Sequence, residues 1–240
     1  MKRILSVVLT LALCLSLFAC GKQPVETPTE PATQPPTQAP TAAPTEPATE
    51  APTEPPLPEV GSDNYLFTFT DGQENPVLTL TASLPACESL PQIDAYYKAL
   101  YDDLYATCAL NAEEATQRRA EFVTDGLDFT PWAVEVKCAV TCNDGKTLSV
   151  IREVYEHFGG PYPTVTCFCE TFDVATQGRL LLSDLFVEGA DYISRLPVAE
   201  PEQLNFALTD SCLLVGIEGD TEALLLSDFA DILKPQYQVK

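Results

Sequence analysis

Chemistry in this 240-residue chain would have to start from its cysteine, histidine or carboxylate side chains: nine Cys, a single His and 35 Asp and Glu. Cys14 lies in an apolar leader and Cys20 directly follows it, which leaves Cys87, Cys108, Cys138, Cys142, Cys167, Cys169 and Cys212. Cys138 with Cys142 and Cys167 with Cys169 invite a zinc reading. Both pairs fall in segments of strand character, where positions four apart are separated by about 13 Å and positions two apart by about 6.6 Å. The first distance is too long to share one ion. The second is awkward for a tetrahedral ion with Zn–S bonds of about 2.3 Å. A cross-strand site mixing the two pairs is the alternative; small buried thiols with at most one disulfide are expected, and no metal or cofactor. An odd number of cysteines outside the cell leaves at least one thiol unpaired.

His157 stands alone just before Gly159-Gly160, and a single His at a strand end is expected to be surface-exposed or hydrogen-bonded. No Gly-x-Ser-x-Gly elbow, His-Glu-x-x-His helix or Walker loop occurs. Carboxylates are so abundant that no pair stands out as a general acid and base. The expectation is a non-catalytic binding domain. Two recognition features are candidates: an aromatic rim of Tyr155, Phe158 and Tyr162 around Gly159 and Gly160, and an acidic helix edge with Asp102, Asp103, Glu113 and Glu114.

The chain carries a formal charge of −22. From Ser62 onward there are 29 acidic and 10 basic residues, a formal charge of −19. Such a field repels nucleic acid and anionic lipid, and draws cationic partners in fast, salt-sensitive encounters. Nucleic acid is therefore excluded as a partner. A cationic protein or a cell-wall ligand is the class expected.

The elements that must position these residues follow from periodicity. Tyr65–Thr70 and Val77–Thr81 alternate apolar and polar as half-buried strands do. Pro91 opens a helix running to about Phe122, with Ile93, Tyr97, Leu100, Leu104 and Cys108 at spacings of three and four on one apolar face. Asp125-Gly126 and Thr130-Pro131 end it. Trp132–Cys142, Thr147–Phe158 and Thr164–Val174 read as three sequential strands joined by an Asn143-Asp144-Gly145-Lys146 hairpin and a Gly-Gly-Pro-Tyr-Pro turn. Short helices are expected from Ser183, near Ala190–Leu196 and from Ser227, with strands at Leu204–Leu208, Cys212–Ile217 and Ala223–Leu226. Runs of strands with a segregated helix predict an α+β fold: a meander-like antiparallel sheet, one long N-terminal helix and short C-terminal helices.

Tyr155, the Gly159-Gly160 turn, Phe172-Asp173 followed by Gly178, and Leu182 before Ser183-Asp184-Leu185-Phe186 form a pattern. It resembles the extracytoplasmic domain of unknown function in the anti-sigma factor RsiV, found also beside peptidoglycan deacetylases of the PdaC type. In related domains a His follows the glycines; Pro161-Tyr162 stands there in this chain. The family's last strand pair is longer than the one Gly216-Ile217-Glu218-Gly219-Asp220 allows here. The resemblance implies sensing of a cationic, lysozyme-like protein, or alternatively a peptidoglycan-modifying enzyme or an accessory module of one.

The N-terminus reads as an address. Met1-Lys2-Arg3 is basic and Ile4–Phe18 is apolar, shorter than the roughly 20 residues that span a bilayer and suited to a secretory leader. Leu17-Phe18-Ala19-Cys20-Gly21 looks like a bacterial lipobox, in which Cys20 would carry the lipid and hold the protein on the extracytoplasmic face of the membrane. Pro24–Pro58 is almost wholly Pro, Thr, Ala, Glu and Gln, a composition that cannot offset its ordering entropy. The expected organisation is a leader over 1–19, lipidated Cys and spacer over 20–61, and the domain over 62–240, divided into 62–125 and 131–240.

Overall fold

Alternation in the first strand region sets a hairpin ahead of the helix. The computed structural model describes residues 56–197, 204–217 and 219–238, all within a compact unit spanning Pro52–Lys240. Cys20 and the spacer as far as residue 55 lie outside the described residues. Strand β1 (Gly61–Thr70) pairs antiparallel with β2 (Pro76–Ala86), and helix α1 (Pro91–Thr124) follows. Strands β3 (Trp132–Asn143), β4 (Thr147–His157) and β5 (Thr164–Asp173) complete a five-stranded sheet of order β1-β2-β3-β4-β5.

Two expectations about this layer are corrected. The long helix is not N-terminal, since two strands precede it. The sheet is also not an uninterrupted meander, because β2 pairs parallel with β3, Leu78 opposite Trp132 through Ser83 opposite Lys137. The physical reason is the crossover: parallel neighbours need a connection of a dozen or more residues, which α1 supplies. Strands β3, β4 and β5 are the antiparallel meander expected of them.

The helix covers one face of the sheet. Side-chain alternation puts Tyr65, Phe67 and Phe69, then Leu78, Leu80, Ala82 and Leu84, then Trp132, Val134 and Val136 on that face. Ile93, Tyr97, Cys108, Ala112 and Ala115 of α1 are buried against it, with Leu100 and Leu104 half-buried. Tyr65 stacks on Tyr101 at 3.8 Å between ring centroids, and Phe67 meets Tyr105 edge-on at 4.9 Å. Pro91 starts the helix where its missing N–H costs nothing. Gly126, at φ +71°, lets the chain leave it.

A second, smaller layer covers part of the other face. Strands β6 (Phe206–Leu208), β7 (Cys212–Ile217) and β8 (Asp220–Leu225) form an antiparallel three-stranded sheet. Its core joins Leu182, Leu185, Phe186, Leu213, Phe229 and Leu233. Buried Thr171 in β5 donates its hydroxyl to the carbonyl of Phe206 at 2.9 Å, and Cys167 N–H donates to Gly219 O at 2.7 Å. The short C-terminal helices expected from Ser183, Ala190 and Ser227 are not α-helices. They are single 3₁₀ turns at Leu182–Leu185, Ile193–Arg195 and Leu226–Phe229. An N-cap residue needs a run of helix-compatible positions behind it; the first and last of these segments instead anchor buried leucine and phenylalanine side chains in one turn, and Ile193–Arg195 buries none.

The body extends upstream of Ser62. Asn143 Nδ2 donates to Pro58 O at 2.8 Å beside the β3–β4 hairpin. That hairpin turns as its residues dictate: Asp144 Oδ1 accepts from the backbone N–H of Lys146 and Thr147, and Gly145 sits at φ +80°. Because β2 pairs with β3, the halves 62–125 and 131–240 share one sheet.

Candidate functional site

The connection from β4 to β5 carries the Gly-Gly turn and the best-formed rim. Phe158 is 38% exposed and packs on Trp132, ring centroids 5.3 Å apart. Gly159 has φ +73°, and a Cβ there would lie 2.9 Å from Trp132 Nε1. Two separate physical demands therefore call for glycine at this position. His157 Nε2 donates to Gly160 O at 3.1 Å and closes the turn. Tyr162, at the tip, is 85% exposed. Facing Phe158 and Trp132 across a cleft of about 430 Å³ are Asn111, Glu114, Gln117 and Arg118 of α1.

Not every expected rim residue is gathered there. Tyr155 is half-buried in β4, opposite Glu135 and Val165. Alternation along the strand puts it on the face away from α1, whereas Phe158 lies on the helix side. Strand period thus divides two aromatics that are neighbours in sequence. Asp102 and Asp103 are exposed on α1. They precede Asn111 by eight or nine residues, roughly 13 Å along the axis at 1.5 Å per residue. The Asp102–Asp103 part of the acidic edge is separate from the Gly-Gly rim, whereas Glu114 lines the cleft beside it.

A buried polar cluster escaped the sequence reading. Glu170 in β5 is 1% exposed and lies on the helix side with Phe168 and Phe172. Its Oε1 accepts from Tyr96 Oη at 2.8 Å and from Arg152 Nη2 at 3.1 Å, and its Oε2 from Tyr97 Oη at 3.0 Å. The Arg152 guanidinium also lies 4.2 Å over the Phe168 ring. Chemically the cluster pairs a buried carboxylate with a guanidinium and two phenol donors, sealed by the helix. The signal available was parity: Glu170 occupies an inward position of β5, between two inward phenylalanines, where a charge needs partners.

This cluster has a pH consequence. Burial, and then the Glu170 carboxylate, push the Tyr96 phenol up to about 12 from its ordinary 10.0. Burial raises Tyr97 as well. A folded-state pKa above the unfolded one means that the contribution is complete below pH ~10 and is lost as pH rises through ~12. Thermal melts between pH 8 and 12 are expected to show Tm falling above pH ~10, with a shallower fall for Tyr96→Phe. An identical slope in the variant would remove Tyr96 from the account.

The cysteines are distributed by the same alternation. Cys138 shares its row with Arg152 and Phe168 on the helix side, while Cys167 and Cys169 occupy the opposite face. A β-bulge between Val140 and Cys142 turns Cys142 toward the smaller sheet's core. The seven cysteines among the described residues are all free thiols. Burial raises Cys138 to about 12 and Cys87, Cys108 and Cys169 to about 11, which suppresses the reactive thiolate. Among the described residues no helix is long and apolar enough to cross a membrane.

Comparison with known proteins places the fold. No protein-family model matches the chain, and no curated protein does. The architecture is that of a family of bacterial proteins of unknown function. A DUF3298 family protein from Pseudomonas aeruginosa PAO1 is similar, with a TM-score of 0.51 and 14% identity, over 78% of this chain and 99% of that one. A DUF3298 family member from Bacteroides fragilis is similar at a TM-score of 0.52 and 12% identity, over 74% of this chain and 94% of that one. At such identities the likeness is one of fold.

Proposed function

We propose that this protein is a surface-anchored bacterial lipoprotein whose domain binds an envelope or extracellular ligand without catalysis, a cationic, lysozyme-like protein being the class favoured. The observation that carries the reading is the domain's formal charge of −19. Its exposed helix edge adds Asp102, Asp103, Glu113 and Glu114, for which no basic partner is found among the described residues. Such a field raises association rates and makes them fall steeply with salt. The RsiV resemblance of the Gly-Gly and Ser-Asp-Leu-Phe motifs supports the same partner. Lipid attachment at Cys20 would hold the protein on the extracytoplasmic face, with the Pro/Thr-rich spacer lifting the domain off the membrane.

The test is binding of the 52–240 segment to hen lysozyme at 0.01 M and 0.15 M salt, where the screening length shrinks from ~30 Å to ~8 Å. Binding is expected at low salt and at least tenfold weaker at 0.15 M. Replacing Asp102 and Asp103 by Asn should slow association with little change in Tm. Absence of binding at both salts would remove the lysozyme reading. The alternative, a peptidoglycan-modifying enzyme or an accessory module of one, would show itself as turnover of cell-wall fragments.

A further inference from the structure

The cleft between α1 and the Gly-Gly turn has a chemistry of its own and shares only Glu114 with the acidic edge. Trp132 is 6% exposed, and its Nε1–H, buried, meets no acceptor among the described residues. A buried donor without a partner is uncommon and costly. Gly159 beside it offers no side chain to cover it, and a Cβ there would sit only 2.9 Å away. Phe158 next to the indole presents an exposed aromatic ring. Across the cleft, Asn111, Glu114, Gln117 and Arg118 repeat at three- and four-residue spacings on one side of α1. Asn111, Glu114 and Gln117 make no side-chain hydrogen bond among the described residues, so their donors and acceptors are open to a ligand. Arg118 is held in place by Glu121 at 2.9 Å and lies 5.5 Å from the Phe122 ring.

We propose that this cleft is a carbohydrate-binding site that takes a neutral oligosaccharide. Three features select that class. An aromatic surface with a few placed polar groups is the ordinary make-up of a small-ligand pocket, and Phe158 would take the C–H face of a sugar ring. Two amides beside a carboxylate and a guanidinium supply donors and acceptors together, which matches hydroxyls that do both. The indole N–H lacks an acceptor but is buried against Gly159, so a ligand meets it only when that turn shifts; a sugar hydroxyl then satisfies it, whereas Lys and Arg bring only donors. An anionic ligand would meet Glu114 and Glu121. The proposal rests on the reading of the domain as a binding module but uses none of its net charge.

Trp132 is the chain's only tryptophan, so its fluorescence reports this cleft directly. The full chain, in a detergent that is not a glycoside, is titrated with tetra-N-acetylchitotetraose, cellotetraose and maltotetraose, and separately with hexalysine. A saturable change in emission with at least one oligosaccharide, unaffected by 0.5 M salt, is expected. Phe158→Ala should weaken it about tenfold and Gln117→Ala about threefold, the latter with Tm unchanged. No saturable change with any oligosaccharide to 10 mM overturns the proposal. So does an equal affinity in the Phe158→Ala and Gln117→Ala variants. A response to hexalysine alone overturns the sugar and leaves the cationic-ligand reading standing; sugar binding without lysozyme binding does the reverse.

Discussion

Glu170→Ala is expected to cost about 3–5 kcal/mol of folding stability, the range found when one partner of a buried ion pair is removed. That is a large share of the roughly 5–15 kcal/mol by which domains are stable. The loss does not come from the carboxylate's own contacts alone. Arg152 has a side chain only 12% exposed, and without Glu170 its charge has no counter-ion in the cluster. Tyr96 and Tyr97 would lose the acceptor of both hydroxyls at once. Urea unfolding followed by far-UV circular dichroism checks the value. A second variant separates pair energy from cavity cost: with Arg152→Leu added to Glu170→Leu, both charges go and apolar volume returns. That double variant is expected to regain at least half of the loss, because well-packed apolar replacements of buried ion pairs are often neutral. A double variant as unstable as Glu170→Ala would mean that packing around the two tyrosines, not the uncompensated charge, sets the cost.

Gly159→Val should be destabilising by about 2–5 kcal/mol, whereas Gly160→Ala should stay within about 0.5 kcal/mol. The neighbouring glycines differ in what surrounds them. Gly159 holds φ +73°, where a β-branched residue is a genuine outlier and strain of about 1–3 kcal/mol is usual. A Cβ would also meet Trp132 Nε1 at 2.9 Å, and Trp132 is locked in the core against α1 and cannot yield cheaply. At Gly160 the nearest atom to a new Cβ is 3.9 Å away and φ is not left-handed, so the change is an ordinary surface one. Urea midpoints measure both, and Trp132 emission should shift in the Gly159 variant alone. Equal midpoints for the two would show that the turn relaxes, and that neither strain nor contact is held there.

Local signals in the chain settled a good part of this architecture. Asn143-Asp144-Gly145-Lys146 makes its hairpin because Asp144 can accept from the backbone two and three residues on, and Gly145 can take a positive φ. The helix from Pro91 and the three strands after it follow from periodicity, which is a property of the residues alone. Trp132, in contrast, reads simply as the first residue of a strand until Phe158 and Gly159 are brought against it from the far end of β4.

What only the tertiary structure decided lies in pairings between distant segments. The parallel β2–β3 neighbours could not be inferred from either strand, because parallel pairing depends on where a 34-residue helix lets the chain return. Two C-terminal segments with cap-like serines, Ser183 and Ser227, became 3₁₀ turns, since each buries its apolar residues in one turn and has none left for a second. Tyr155 and Phe158 were parted by the pleat, and Glu170 found Tyr96 and Tyr97 across 73 residues or more. The sequence by itself determined the long helix, the strands of the larger sheet with the hairpin turn between β3 and β4, and the sign of the domain's field, because these depend on residues close in the chain or on a simple sum. Which side chains share a cleft was decided by register and crossover, because burial rewards contacts that no local stretch contains.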